Sequence, residues 1–568
     1  MKTLGHLLFR IYLPLLLFMA FASFSYAQAV NAGKLQVMVQ QAIQKAAPAS
    51  VYMSDYDTVA KRNTGSRFSG VVVSKDGLIL SAAHVVQPGK TYQIIFPDGK
   101  ECIAVGLGRM QQFDAAMAKI VTPGEWPFAE VGWASSLKIN EPCISIAYPG
   151  TFKPKRLDVR FGYVAEVQDS RRKMIRSTCL MEPGDSGGPL FDMYGRVIGL
   201  HSNINMGLDA NFEASIDNFR KYWTALQKLQ DYRTLPAEEP VPADPLLNER
   251  IWFPVINTLE TSLAKAEDKL DDYTVQLVNA SDSSIAVATS FKPGAALKGI
   301  FKGKSLLITK NSLLQGEVKA RLAGGKTETV TVLYRDEKND LALLAIRAKM
   351  KAAIDLSKLR NDTLVNAQLG TFLITPHPEN DGEISIISAL QMKLPSTYNI
   401  GFFGSTIALN DGKNTITVVQ AKSPAAAAGL KIGDQIVSIN STAIQVPENF
   451  TGEIQKNKPD DVVKLVYIRD GEQKTIDIRL ARRPMAASNH VAERFLDGKS
   501  ERRDGFDGVF AHDGKIKPAE CGGPVFDLKG NFMGLNQARL SRTISLAVLP
   551  KEITAFVREA ADTLTNLR

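Results

Sequence analysis

The sequence predicts a mainly β protein in which one β-strand unit occurs twice, the second copy interrupted by a smaller domain. The first sign is a series of segments that returns. "SGVVVSKDGLILSAAHVV" (69–86) reads as a strand, a Lys-Asp-Gly turn and a second strand that ends in a histidine; "FDAAMAKI" (113–120), "EPCISIAYPG" (141–150) and "EPGDSGGPLFDMYGRVIGL" around Ser186 follow it. A weakened copy runs through "KGKSLLITKNSLL" (302–314), "NDLALLAI" (339–346), "AQLGTFLITPHPEN" (367–380) and "PAECGGPVFDLKGNFMGL" around Cys521. A second sign is that each copy closes on apolar residues at helical spacing, Ile216, Phe219, Trp223 and Leu226 in one, Ile553, Phe556, Ala560 and Leu564 in the other. The third is an unequal interval: 72 residues separate Asp114 from Ser186, but 181 separate Asp340 from Cys521, an excess of 109 that is the size of a small domain.

Taken along the chain, residues 1–27 have a basic start, an apolar run and small residues ending at Ala27, the pattern of a cleaved secretory signal. The run from Ile11 to Phe24 is shorter than the roughly 20 residues a membrane span needs, so a retained anchor is the lesser alternative. Export to a periplasm or to the outside of the cell is the expectation. The first unit covers residues 28–232. "LPAEEPVPADP" (235–245), with four prolines and no apolar period, marks a linker over 233–250 that should act as a stiff spacer. The second unit takes 251–395 and 485–568, and the inserted domain 396–484.

Composition narrows the function classes. With 568 residues, 45% apolar and 22% charged, the chain should hold about three packed domains. The net charge of +9 is spread among 59 acidic residues with no basic block beyond "RRK" at 171–173, so no nucleic-acid partner is expected. No segment after the leader could span a bilayer. Four cysteines are too few for a disulfide scaffold; one bridge among Cys102, Cys143 and Cys179 is open, and spacing does not choose its partners.

The chemistry rests on His84, Asp114 and Ser186. A serine hydroxyl needs an imidazole to take its proton, and the imidazole needs a carboxylate to fix its tautomer. The three stand in the order His, Asp, Ser, each at a strand end or loop. The glycines of "PGDSGGP" allow the backbone N–H groups of Gly184 and Ser186 to converge on one point, where a developing oxyanion can be held. Such a mechanism calls for no metal and no cofactor. His201 is read as a structural or pocket-wall residue.

These segments resemble the chymotrypsin-type fold of two β-barrels, and specifically its HtrA (high-temperature-requirement) branch, over residues 65 to 220. The resemblance implies a serine endopeptidase with catalytic His84, Asp114 and Ser186. It departs from that branch in carrying Asp185, where asparagine is more usual, and in "FDAAMAKI". It also places the base of the specificity pocket at Cys179, Leu180 and Met181, which implies cleavage after small or medium apolar residues. The insertion, through "SPAAAAGLKIGDQIVSIN", is similar to a PDZ domain, which would take a C-terminal peptide as an added strand at a loop of Gly401, Phe402, Phe403 and Gly404. One of the two phenylalanines is expected to be core.

The same alignment puts Ser312 where His84 stands, Asp340 for Asp114 and Cys521 for Ser186. The base is missing, Glu520 adjoins the thiol, and recruitment of His512 is remote, so the second copy reads as a pseudoprotease. The chain is thus expected to be an exported endopeptidase acting on misfolded or exposed polypeptides; the alternative is a latent or non-proteolytic chaperone or peptide-binding scaffold. Oligomeric state is left open.

Overall fold

The computed structural model describes residues 32–566, except 154, 170, 172, 250–268, 293–303, 323–324, 360–367, 380–381, 397–399 and 485–489. The expected signal (1–27), the last residue of the expected linker and the first residues of the second unit therefore lie outside the described residues.

A helix, α1 (Ala32–Ala46), opens the described chain and buries Leu35, Val39, Ala42, Ile43 and Ala46, one face at three- and four-residue spacing. Six strands then close into a barrel: β1 (Ser50–Asp57), β2 (Arg62–Val72), β3 (Leu78–Ser81), β4 (Thr91–Ile95), β5 (Glu101–Met110) and β6 (Ala115–Ile120), in the order β1-β2-β3-β6-β5-β4. Along β5 every second residue is buried, as the two-residue period of a barrel wall requires. A second closed barrel follows: β7 (Pro142–Ala147), β8 (Asp158–Glu166), β9 (Ile175–Ser177), β10 (Pro189–Phe191), β11 (Val197–Ile204) and β12 (Asn211–Ser215), ordered β10-β11-β12-β9-β8-β7.

The second half repeats this plan. Phe372–Thr375, Glu383–Met392, Val509–His512, Ser545–Val548, Phe532–Arg539 and Pro524–Asp527 close in the same cyclic order as the second barrel. The sheet before it runs from Thr327–Thr329 at one end to Thr331–Asp336 at the other. Those ends are two pieces of one strand, the counterpart of β5, broken at Val330, whose N–H bonds Val318 O at 2.9 Å. The tandem barrels expected from the sequence are present, the third of them with this break.

The inserted domain lies between the counterparts of β8 and β9. Its sheet is ordered Ser405–Asn410, Lys413–Val419, Gln435–Ile439, Val462–Arg469, Glu472–Arg479, with short Thr442–Ala443 beside the third strand, and it has its own core of Phe403, Ile416, Ile439, Phe450, Val463 and Leu465 among others.

Two features depart from a stiff spacer joining separate halves. The proline-rich segment lies on the first domain: Asp244 is buried and takes both Arg196 Nη groups at 2.8 and 3.3 Å and Ser136 Oγ at 2.7 Å, and Trp133 Nε1 donates to Pro242 O at 2.7 Å. The halves also share one apolar core, from Leu35 and Ile43 through Ile144 and Phe191 to Phe372, Leu535 and Phe556. At their junction Phe161 meets Phe372 edge-on at 5.1 Å, and Gln36 Oε1 accepts the Phe372 N–H at 2.8 Å. Proline content reports backbone stiffness, not whether side chains anchor the segment.

Candidate active site

His84 follows the end of β3, exposed beyond buried Ala82 and Ala83. Asp114 ends a 3-10 turn (Gln111–Phe113) with φ 54°, a left-handed conformation that tucks its carboxylate under the histidine. Asp114 Oδ1 accepts the His84 backbone N–H at 2.9 Å; His84 Nδ1 lies 2.9 Å from Oδ2 and 3.0 Å from Oδ1; Ser202 Oγ donates to Oδ2 at 2.5 Å. An Nδ1–H held this way leaves Nε2 with its lone pair, the tautomer a general base requires.

Ser186 sits on the turn before β10. Gly184 has φ 105°, and a Cβ there would fall 2.5 Å from Gly150 N and 2.7 Å from Tyr148 O. Gly187, at φ 76°, is pressed against the strand that leads to His84: a Cβ would fall 2.0 Å from Ser81 Oγ and 2.8 Å from Ala82 N. Only glycine fits either position. The turn is pinned by Ser69, whose N–H bonds Ser186 O at 2.9 Å and whose hydroxyl bonds Gly184 O at 2.8 Å. Among the described residues the amides of Gly184 and Ser186 donate to no protein acceptor, and Ser186 Oγ has no hydrogen bond, to His84 or to any other group.

Beneath the turn, Asp185 is fully buried and takes Arg160 Nη1 at 2.6 Å and Nη2 at 3.2 Å, while Arg160 Nε bonds Asp158 at 2.7 Å. Burial pushes the Asp185 carboxyl up to about 7 and raises Asp158, against the pull of the guanidinium. Sequence reasoning noted Asp185 but missed Arg160 and Ser202. A lone arginine in the apolar strand "LDVRFGY" was the available signal for the first; nothing local marks the second.

Cys179, Leu180 and Met181 are buried beside the turn. The sulfurs of Cys143 and Cys179 face each other, unbonded, at 3.9 Å, and all four cysteines are free. His201 is buried, with Nε2 2.6 Å from Ser145 Oγ; burial drives its pKa down to about 3 and that of neighbouring Glu213 up to about 8, so both are largely neutral near pH 7.

In the second half Asp340 repeats Asp114, with φ 57° and a carboxylate that accepts the Ser312 N–H at 2.6 Å and the Ser312 hydroxyl at 2.9 Å. Two cations face it: Lys310, its Nζ 2.6 Å from Asp340 Oδ2, and Arg502, its Nε 3.7 Å from the same oxygen, all three groups buried. Gly522 N bonds Asn536 O at 2.7 Å as Gly187 N bonds His201 O at 2.8 Å, so the turns correspond. Ala519 stands for Gly184, and the segment folds as a 3-10 helix, Pro518–Glu520, whose turn takes the Cys521 N–H at 3.4 Å. Cys521 is fully buried; burial pushes its thiol up, opposed only in part by Lys310. His512 is buried and bonded to Asn536 Oδ1 at 2.9 Å.

In the inserted domain Phe402 and Phe403 are both buried; Phe403 packs on Phe450 at 5.1 Å, and Phe402 lies outside that core under Arg483. Phe402 exchanges two backbone bonds with Ala481, 2.7 and 3.1 Å, and Gly401 N bonds Asn457 O, so only the Phe403 and Gly404 amides of the expected loop take no partner among the described residues. Ser405 Oγ beside them is buried and unpaired, and Ser405–Asn410 is the edge strand of its sheet.

Residues 68–200 match the trypsin-like peptidase domain and residues 401–480 the PDZ domain. A protein of Pseudomonas fulva (strain 12-X) named "Probable periplasmic serine endoprotease DegP-like" is 24% identical over 441 residues, 74% of this chain and 80% of that one. A protein of the same name from Pseudomonas savastanoi pv. phaseolicola is 32% identical over 149 residues, 25% of this chain and 30% of its own length. The "Putative serine protease HhoA" of Synechocystis sp. is 29% identical over 151 residues, 25% of this chain and 38% of that one.

Proposed function

We propose that this chain, an HtrA-like serine-type endopeptidase with a PDZ domain, cleaves peptide bonds with Ser186 as nucleophile, His84 as base and Asp114 as the group that orients it. One arrangement carries the reading: Asp114 takes three donors that fix His84, while glycine-permitted geometry leaves two amides open beside Ser186. His84 Nε2 accepts the Ser186 proton as Oγ attacks the scissile carbonyl; the Gly184 and Ser186 N–H groups hold the oxyanion; the imidazolium returns the proton to the leaving amine. Water, deprotonated by the same imidazole, then releases the acyl group.

The division into a catalytic unit (28–232), a connecting segment (233–250), a non-catalytic unit (251–395 and 485–568) and a PDZ domain (396–484) belongs to the same proposal. A peptide added along Ser405–Asn410, its carboxylate at the Phe403 and Gly404 amides, suits an open sheet edge. Exposed or misfolded polypeptide is the substrate class, and residues 1–27 with the periplasmic relatives point to export. The free Ser186 hydroxyl favours one second reading, a latent site whose loop must shift before it acts; such bonds often tighten only when substrate is bound. Labelling by a fluorophosphonate probe, present in the native chain and lost in Ser186→Ala, tests the proposal; labelling that survives the substitution overturns it.

A further inference from the structure

We infer that Arg542 and Thr543, in the second half of the chain, are positioning residues for the candidate active site in the first half. The inference rests on the reading of Ser186 as nucleophile. Both residues stand in the tight turn between Phe532–Arg539 and Ser545–Val548, closed by Leu540 N to Ile544 O at 2.9 Å. Its tip enters the first domain. Arg542 is fully buried and donates from Nη1 to Met206 O at 3.3 Å and from Nη2 to Gly207 O at 2.6 Å and Asn211 Oδ1 at 3.4 Å. Thr543 Oγ1 donates to Glu182 Oε2 at 2.9 Å.

From that tip two short relays reach the serine turn. Glu182 also accepts the Thr151 N–H at 3.3 Å, and exchanges two bonds with Asp185: its own N–H to Asp185 Oδ2 at 2.8 Å and Asp185 N to its carbonyl at 3.1 Å. Asp185 lies between the two open amides. On the other side, Asn211 Oδ1 accepts the Met181 N–H at 3.2 Å, and residues 205–210 connect β12 to β11, the strand that carries Ser202 against Asp114. A third contact braces the floor: Asp513 accepts the N–H of Phe161, next to Arg160, at 2.8 Å and that of Ile386 at 2.7 Å. Three supports of the serine turn and its floor thus come from the second half, through Arg542, Thr543 and Asp513.

The energetics favour a working part over a passive contact. Removing the guanidinium releases the exposed 206–207 turn and takes a donor from buried Asn211, and removing the Thr543 hydroxyl takes a donor from the buried Glu182 carboxylate; each frees the loop it held to move. Oxyanion donors lose their effect on small displacements, so loop movement reads out in turnover. The non-catalytic copy is retained, on this view, as the cradle of the catalytic one, and a chain ending near residue 234 lacks part of its own site.

The test uses the full chain. Arg542→Ala and Thr543→Val should each lower kcat for a short unstructured peptide, and the fluorophosphonate labelling rate, by about 10- to 100-fold with little change in KM; Arg542→Lys should recover part and Thr543→Ser most of it. Hydrogen exchange should quicken at residues 178–188 and 205–211. Loss of unfolding temperature alone, with kcat, labelling and exchange as in the native chain, overturns the inference and leaves the Ser186 reading standing. If the native chain neither labels nor hydrolyses, that reading falls, and exchange alone decides: unchanged protection in Arg542→Ala overturns this inference too. Should Arg542→Ala fail to fold, the contrast of Thr543→Val with Thr543→Ser decides.

Discussion

Lys310 Nζ lies 2.6 Å from Asp340 Oδ2, with both groups out of solvent, where the matching carboxylate of the first half holds an imidazole. The second copy has serine where the first has His84, and its aspartate has Lys310 beside it and Arg502 Nε at 3.7 Å. A buried carboxylate without a partner is costly, so the fold requires charge balance at Asp340.

Breaking that pair is expected to destabilise the chain strongly. Lys310→Met should cost about 3–5 kcal/mol, and Lys310→Met with Asp340→Asn distinctly less, because the second change removes the stranded charge. Urea unfolding of the two variants checks it; a double variant less stable than the single contradicts it.

Hydrolysis should depend on Ser186 and be indifferent to Cys521. Ser186→Ala is expected to lower turnover by at least about 1,000-fold, while Cys521→Ala stays within about twofold of the native rate. In the folded chain the Cys521 thiol should resist iodoacetamide, since it is buried and its ionisation is suppressed.

Ser202→Ala should lower kcat by about tenfold and leave KM nearly unchanged, for it removes one of three donors to Asp114 without touching substrate. Steady-state kinetics on a short peptide decides it. A rise in KM alone would point instead to a role in the pocket.

His512 makes stability sensitive to acid. Burial holds its pKa near 3, below the ordinary 6.5, so the folded state binds fewer protons than the unfolded state between those values. Its contribution is present above pH about 6.5 and is lost as pH falls toward about 3. The unfolding temperature of the native chain should therefore fall more steeply across that window than that of His512→Asn. The comparison cancels the opposite trend from Asp185, Asp513 and Glu213, whose raised carboxyls disfavour the fold as pH rises.

A peptide with a free apolar C-terminus should protect the amides of Ser405–Asn410 from hydrogen exchange, and its C-terminal amide should do so less well. Equal protection by both would remove the carboxylate from the Phe403 and Gly404 site.

His84, Asp114 and Ser186 were visible in the sequence because each sits in a short contiguous motif whose strand or turn is set locally. Arg160, Ser202 and Lys310 were not, because what makes them matter is a partner 25, 88 or 30 residues away. The duplication could be read from repeated strand patterns, yet the fusion of the halves could not: nothing near Arg542 announces that its partners are the carbonyls of Met206 and Gly207. The prolines of the connecting segment gave its extended shape and concealed Asp244, whose place is fixed by Arg196.

The two backbone bonds between Phe402 and Ala481 hold the ends of the inserted domain side by side. Met392 and Val509 pair as neighbours in the fourth barrel although they are 117 positions apart, a closure that is slow and entropically unfavourable for a free chain. Once the inserted domain has folded, its ends are stapled together and the span to be closed shrinks to the short arms on either side, saving roughly 1 kcal/mol of closure entropy. The inserted domain, by holding its own ends together, lowers the cost of pairing the two barrel strands that flank it.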